Sequence, residues 1–269
     1  MSDIDSKVPL RGGESLIIHH AAPQQGKNSF YGFALAKSGS TMLTRILDFM
    51  CEANGVAVVN VEDALFAAGA NLTYLTPECS PLFEQEGCGF IGFRHFPTTL
   101  KLPLLEQRQK IMLIRDPRDM LVSLYFSHRN SHPIPKNGPG KVSMEAERSR
   151  LLSMSIDQYV LERGPSVLAS IKEYRPVTSG THVMLRRYED IIFSKDAYIR
   201  ELEEFLELPL RADQRARLRE QVDLRPEHED PTQHVRRVTP GDHIEKLSPE
   251  TVVRLNELFY EVLAQFEYA

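Results

Sequence analysis

The stretch "FALAKSGSTML", Phe33 to Leu43, passes from an apolar run through a short polar segment straight into a second apolar run. That is the pattern of a β-strand, a tight loop and the first turn of an α-helix. Such a junction aims backbone N–H groups and the positive end of a helix dipole at one point, which makes it a site for phosphate or sulfate. The order Lys37, Ser38, Gly39, Ser40, Thr41 differs from the ATP-binding pattern G-x-x-x-x-G-K-[ST], in which the lysine follows the second glycine and the next hydroxyl binds Mg²⁺. By itself the loop also fits an ordinary strand-to-helix turn capped by Ser or Thr.

Outward from this loop, short apolar runs alternate with amphipathic segments. The runs "FYGFALA", "VAVVN" near Val58, "GFIGF" near Ile91, "KIMLI" near Met112 and "HVMLRR" near Met184 predict strands, and residues 41–53, 118–129 and 197–206 carry helical spacing. The expectation is a single α/β domain over residues 28–269, a central parallel β-sheet flanked by helices, preceded by a loose lead-in over 1–27. "SHRNSHPIPKNGPGKVS", Ser127 to Ser143, concentrates Gly, Pro, Asn and basic residues and predicts a mobile loop able to act as a lid, followed by helices over 144–172. Further helices are expected over 212–222 and in the final "SPETVVRLNELFYEVLAQF", with Ser248 as N-cap and Pro249 in the first turn.

The 269 residues, 42% of them hydrophobic, suffice for a large core, and a net charge of -5 argues against nucleic acid as a partner. Cys51, Cys79 and Cys88 form an odd set at spacings matching no zinc pattern, so free thiols in a reducing compartment are expected. No apolar run reaches membrane-span length, and the polar, acidic N-terminus is unlike a signal peptide, which together predict a cytoplasmic protein.

A second stretch, "IMLIRDPRDMLVSLYFSH", reads as a strand ending at Arg115, a helix opened by Asp116-Pro117, and Ser123 about two helical turns on. Arg115 thus falls at the carboxyl end of a strand, where open α/β sheets place ligand groups. Taken with the first loop, these residues resemble the signature segments of the sulfotransferases that use 3'-phosphoadenosine 5'-phosphosulfate (PAPS). In that family a "PKSGTTWL"-type loop holds the 5'-phosphosulfate and an "R-[DN]-P-[RK]-D-x-x-x-S" segment holds the 3'-phosphate; this chain has "AKSGSTML" and "RDPRDMLVS". "RRYEDI", Arg186 to Ile191, is similar to the family's "YED" segment, whose Tyr lies near adenine. "RRVTPGDHIEKLSPE", Arg236 to Glu250, is similar to its late "RKGxxGDW" loop. Met42 stands in place of the Trp that stacks on adenine, Val238 in place of the late loop's Gly, and His243 in place of its Trp.

The resemblance implies a P-loop-like fold and sulfuryl transfer from PAPS to a hydroxyl or amine of a small-molecule or glycan-like acceptor, leaving adenosine 3',5'-bisphosphate (PAP). It implies that Lys37, Ser38, Gly39, Ser40, Thr41 and Met42, with Arg115, Ser123, Tyr188, Arg236 and Arg237, bind the nucleotide. Lys37 would stabilise the leaving phosphate, and Ser123 would also restrain Lys37 until the acceptor arrives. His95 in "GFRHFP" keeps the His-x-Pro part of the family's "K-T-H-x-P" and is the candidate base, its ordinary pKa lying near neutral. The family's Lys two places earlier is Phe93 here, and Arg94 is the candidate replacement, although one residue along a strand points to the opposite face. The leaving phosphate is weakly basic, so no metal is required. His19, His20, His128, His132 and His228 complete no metal-ligand pattern and are expected at the surface. The acceptor pocket is expected from Glu62 to Glu86 and from His128 to Ser170. "KLSPETVVRLNE" misses the family's dimer motif by one residue on each side of Thr251-Val252, which leaves monomer and homodimer both open. Two other classes share these features: a P-loop-like kinase that uses Mg-ATP, and a module that binds adenosine bisphosphate without catalysis.

Overall fold

The computed structural model describes residues 3–132, 134, 139–224, 228–230, 233 and 236–268. Seven strands follow in the order β1 (Asp3–Pro9), β2 (Ser15–Ala21), β3 (Phe30–Ala34), β4 (Ala57–Val59), β5 (Cys88–Phe93), β6 (Gln109–Ile114) and β7 (Val183–Arg187). The last five form one parallel sheet in the order β4-β5-β3-β6-β7. Each strand expected from an apolar run is present.

The helices are α1 (Ser40–Asn54), α2 (Val61–Ala67), α3 (Ser80–Glu84), α4 (Pro117–Phe126), α5 (Pro139–Leu151), α6 (Ile156–Glu173), α7 (Arg175–Thr178), α8 (Tyr188–Ile191), α9 (Lys195–Leu206), α10 (Ala212–Val222), α11 (Asp242–Lys246), α12 (Pro249–Leu258) and α13 (Tyr260–Gln265). They cover both faces of the sheet, which explains why β3 and β5 are buried along their whole length and read as continuous apolar runs. One core holds Phe33, Phe90, Phe93 and Met112 with Leu121, Val160 and Phe259. The other packs Ile46 and Leu47 of α1 and Ile199 and Leu202 of α9 against Ile91, Ile111 and Leu113.

The expected loose lead-in is instead an antiparallel hairpin, Asp3 pairing with Ala21 and Pro9 with Ser15. Its inward residues Val8, Leu10 and Ile18 are buried in the first core, and His20 is buried with its ring bonded to the Ser6 hydroxyl at 2.7 Å. Val8, Leu16 and Ile18 lie on the inner face of this hairpin, with Lys7 paired to Ile17 on the outer one.

The expected loop from Ser127 is in part a single π-turn, Ser127–Ser131, that continues α4. Ser143 lies within α5, and most of the segment between them lies outside the described residues. Among the described residues no helix is long and apolar enough to cross a membrane.

In this sheet the chain leaves β3 for β4, returns through β5, and then crosses to β6 and β7. The switch of direction falls at β3, so the carboxyl ends of the five strands open onto one crevice.

Candidate active site

After β3 the chain turns through Leu35, Ala36 and Lys37 into α1. The Ser38 hydroxyl donates to the carbonyls of Leu35 (2.6 Å) and Leu113 (3.1 Å), which pins the loop to β6. Ser38, expected to bind nucleotide with the rest of the loop, is fully buried and does not line the cavity. Lys37 holds a left-handed backbone with φ 67°, a conformation that costs a non-glycine residue about 1 kcal/mol and persists where the surroundings enforce it. Gly39, at φ 89°, precedes α1, and a Cβ there would come within 2.9 Å of the Tyr188 ring. The sequence needs glycine at this position both for the backbone and for the ring pressed against it.

The segment after β6 divides its charges. Arg115 reaches across to the loop, its Nη1 donating to the Lys37 carbonyl at 3.3 Å, with its guanidinium 4.5 Å from the centre of the Tyr188 ring. Asp116 caps α4 by accepting from the Arg118 N–H (2.9 Å). Arg118 closes onto Asp116 and onto Asn256 of α12 and is structural. Asp119 accepts from the backbone N–H of Gly241 (2.8 Å) and His243 (3.0 Å) and from His243 Nδ1 (2.7 Å). Burial alone would raise the Asp119 carboxyl, but the His243 hydrogen bond and the Arg115 charge outweigh it and hold its pKa at about 2. His243, which departs from the family pattern, is therefore the anchor that fastens the late loop to α4.

That loop brings Arg236 over the ring of Phe126, at 4.2 Å, and Arg237 beside the cavity. Both arginines carry carboxylate partners: Glu229 and Asp242 for Arg236, Glu245 (2.6 Å) and Asp242 (3.4 Å) for Arg237. A small polar recess is lined by Lys37, Arg115, Ser123, Ser127, Arg236 and Arg237. The Nε of Arg115 and the hydroxyl of Ser127 are buried without a hydrogen-bond partner among the described residues. Unused buried donors beside four cations suit a phosphate group. Ser127 was missed by the sequence reading because it lies one turn beyond the family's motif.

The recess adjoins a cavity of about 580 Å³ into which the strand ends open. Lys37, Gly39, Ser40, Thr41, Met42, Arg115, Ser123, Tyr188 and Arg237 all line it, as do Arg94 and His95. The lysine loop and the arginine segment therefore share one cavity. Burial and the charges of Arg115, Arg236 and Arg94 lower the Lys37 ammonium to about 8. Where Trp is missing at Met42, the apolar wall beside Tyr188 consists of Met42, Ile192, Val222 and Leu224. The Tyr188 hydroxyl donates to the carbonyl of Val238 (3.0 Å) and ties this wall to the late loop.

At the other end β5 stops at Phe93, so the alternation of faces no longer governs Arg94 and His95, and both reach the cavity. Gly92 turns the chain there with φ 86°, and a Cβ on it would strike the Asn60 side chain. His95 Nδ1 lies 2.8 Å from Oε1 of Glu62, while the other carboxylate oxygen accepts from the backbone N–H of Arg94 at 2.7 Å. The Glu62 hydrogen bond, opposed by burial and aided by the Glu62 charge, raises the His95 pKa. With Nδ1 committed, Nε2 is the ring nitrogen left for proton transfer. Glu62 is 11% exposed; the sequence placed it at the start of an expected acceptor segment but gave no signal of its pairing with His95, since an acid in the first turn of a helix is common. Arg94 is paired with Asp63 at 2.6 Å.

The expectation that His128 and His132 lie at the surface is not met, because both line the cavity, His128 from the π-turn and His132 from just beyond it. His128 Nδ1 is 3.0 Å from the Tyr159 hydroxyl, and burial with the nearby Arg163 charge lowers its pKa to about 4, so it is neutral at pH 7. The expected acceptor segments do reach the cavity, through Glu62, Asp63 and Phe66 on one side and Arg163, Val167 and Ser170 on the other.

The sulfotransferase domain model matches residues 33–267. A comparison with curated protein sequences finds no match. Among solved structures the chain is similar to mouse sulfotransferase SULT7A1 complexed with PAP, at 14% identity and TM-score 0.58, with 89% of this chain and 85% of that one covered. It is also similar to retinol dehydratase in a complex with retinol and PAP, at 15% identity and TM-score 0.51, over 87% and 81% of the two chains. The fold, the shared cavity and the family match agree, and the chain belongs to the sulfotransferase family.

Proposed function

We propose that the cavity binds PAPS between the two strand-end segments and that the chain transfers its sulfuryl group to a hydroxyl or amine of an acceptor bound on the His95 side. The observation that carries this reading is the convergence of the Lys37 loop and Arg115 on one cavity, with a recess in which two buried donors, Arg115 Nε and the Ser127 hydroxyl, lack partners among the described residues. Bound PAPS supplies an electrophilic sulfuryl group and a phosphate leaving group. Arg115, Ser123, Ser127, Arg236 and Arg237 are assigned to its 3'-phosphate, and Gly39, Ser40 and Thr41 at the start of α1 to its 5'-phosphate. Met42, Tyr188 and Val222 flank the adenine.

Lys37 is assigned to the negative charge that grows on the leaving oxygen; burial and the neighbouring arginines oppose its ammonium in the ligand-free protein, and the phosphates of PAPS would restore it. His95 Nε2 takes the acceptor's proton, and Glu62 fixes the ring and steadies the imidazolium that results. Arg94, held by Asp63, adds positive charge at the edge of the acceptor side. Ser123, which lines both the cavity and the recess together with Lys37, is assigned to restrain Lys37 before the acceptor binds. Cys51, Cys79 and Cys88 are buried free thiols, which suits a reducing cytoplasm.

The test is PAPS-dependent sulfate transfer across a panel of phenols, alcohols, amines and sugars in EDTA. Transfer is expected, with His95→Asn lowering kcat by about 10²–10⁴-fold. Mg-ATP-dependent phosphorylation, or PAP binding with no transfer to any acceptor, would overturn the reading in favour of a kinase or a binding module.

A further inference from the structure

The acceptor side of the cavity carries two arginines whose surroundings differ. Arg94 is ion-paired with Asp63, which also takes a hydrogen bond from Asn60 (2.7 Å). Glu62, the other acid there, is consumed by His95 and by backbone N–H groups. Arg163 of α6 lines the same cavity and has no carboxylate within ion-pair distance among the described residues, and its buried Nε has no hydrogen-bond partner there. Glu147, an acid on neighbouring α5, is held in a bidentate pair by Arg150 (2.9 and 3.0 Å). Arg163 is half-buried, beside the Tyr159 hydroxyl and within the field of Glu147, and its inward-facing Nε is a buried donor that an anionic ligand would fill.

The geometry also fixes a distance. Arg163, Val167 and Ser170 form one stripe of α6 along the cavity wall, and Arg163 and Ser170 are about two turns, roughly 10 Å, apart along the helix. The Ser170 end is the His95 end, since Tyr174, just past the end of α6, donates to the Phe93 carbonyl at 3.4 Å, while Tyr159, one turn before Arg163, meets His128 at 3.0 Å. The same cavity is also lined by the apolar side chains of Phe66, Met120, Leu124 and Val167.

We propose that the acceptor is an elongated amphiphile bearing an anionic group, a carboxylate or a phosphate, which Arg163 binds while the hydroxyl at the far end of an apolar body meets His95. This rests on the sulfotransferase reading above. Arg163 is a specificity determinant in this account, its fork matched to two oxygens of the anion.

The test compares ω-hydroxydecanoate, ω-hydroxydecyl phosphate and the neutral decanediol as acceptors for PAPS, in wild type, Arg163→Gln and Arg163→Lys. Wild type should prefer at least one of the anions over the diol by about tenfold or more in kcat/KM, carried mainly by KM, and the preferred anion identifies the group bound. The preference should vanish in Arg163→Gln and persist in reduced form in Arg163→Lys. The same ranking is read without turnover from the thermal shifts these compounds give the PAP-loaded protein, and PAP binding reports that each variant is folded. Equal use and equal binding of diol and anions by wild type, or a preference that survives Arg163→Gln, overturns the proposal. Failure of wild type to bind PAP would be a separate result, against the sulfotransferase reading itself.

Discussion

Lys37 is poised to lose its proton near neutral pH, which makes nucleotide binding pH-dependent in a calculable way. Without ligand its pKa is lowered to about 8 from an ordinary value of 10.5, because burial and Arg115, Arg236 and Arg94 all oppose its charge. Doubly charged phosphates would reverse that balance and return the ammonium toward its ordinary value, so binding takes up a proton wherever the free protein has lost one. Between pH 7 and pH 9 the protonated fraction of the free protein falls from about 0.9 to about 0.1, so PAP affinity should fall about tenfold, or ~1.4 kcal/mol. Calorimetry in buffers of different ionisation enthalpy should find an uptake of about half a proton at pH 8. Lys37→Met should bind PAP weakly and with no slope across this range. The sign for stability is the opposite. A lysine with a depressed pKa destabilises the ligand-free fold below pH 8, so Lys37→Met should raise its stability by ~1–3 kcal/mol at pH 7. A flat wild-type profile, or an equal slope in Lys37→Met, would refute the assignment of Lys37 to the phosphates.

Three further outcomes are expected. Gly39→Ala forces a side chain into a left-handed turn against Tyr188, and should cost ~1–3 kcal/mol in thermal denaturation and abolish measurable PAP binding. Glu62→Gln removes the charge that raises His95, so kcat/KM should fall by about 10–100-fold and its acidic limb should move to lower pH; an unmoved limb argues against the pair. Asp119→Asn weakens the hold on Gly241 and His243, and should raise the Kd for PAP about tenfold while slowing PAPS turnover; unchanged affinity in a titration would show that the late loop is irrelevant to binding.

Much of this arrangement was legible in the sequence because it is local. The strand-loop-helix of Phe33 to Leu43 and the strand-helix of Arg115 to Ser123 each declare themselves through apolar periodicity interrupted by a fixed set of polar residues, and the parallel sheet follows from their repetition. What the sequence withheld depends on contacts between distant segments. Glu62 pairs with His95 from the segment after a neighbouring strand, and Asp119 anchors His243 across more than a hundred residues of chain. Ser38 carries the residue type of an anion ligand, yet its hydroxyl is spent on backbone carbonyls. His128 and His132 carry the residue types of a solvated loop, yet both reach the cavity wall, from the π-turn and from just beyond it. The N-terminal hairpin was obscured because its two apolar faces are short and sit among Gly, Pro and His.

The central claim is that Arg115 and the Lys37 loop grip opposite ends of one doubly phosphorylated nucleoside. Calorimetric titration of PAP and of adenosine 5'-phosphate into wild type and Arg115→Ala tests it most directly, because the two ligands differ only in the 3'-phosphate. Wild type should prefer PAP by about 10–100-fold, the worth of a charge-assisted pair, and Arg115→Ala should lose most of that preference while still binding both. Equal affinity of the two nucleotides for wild type, or an undiminished preference in Arg115→Ala, would contradict the account.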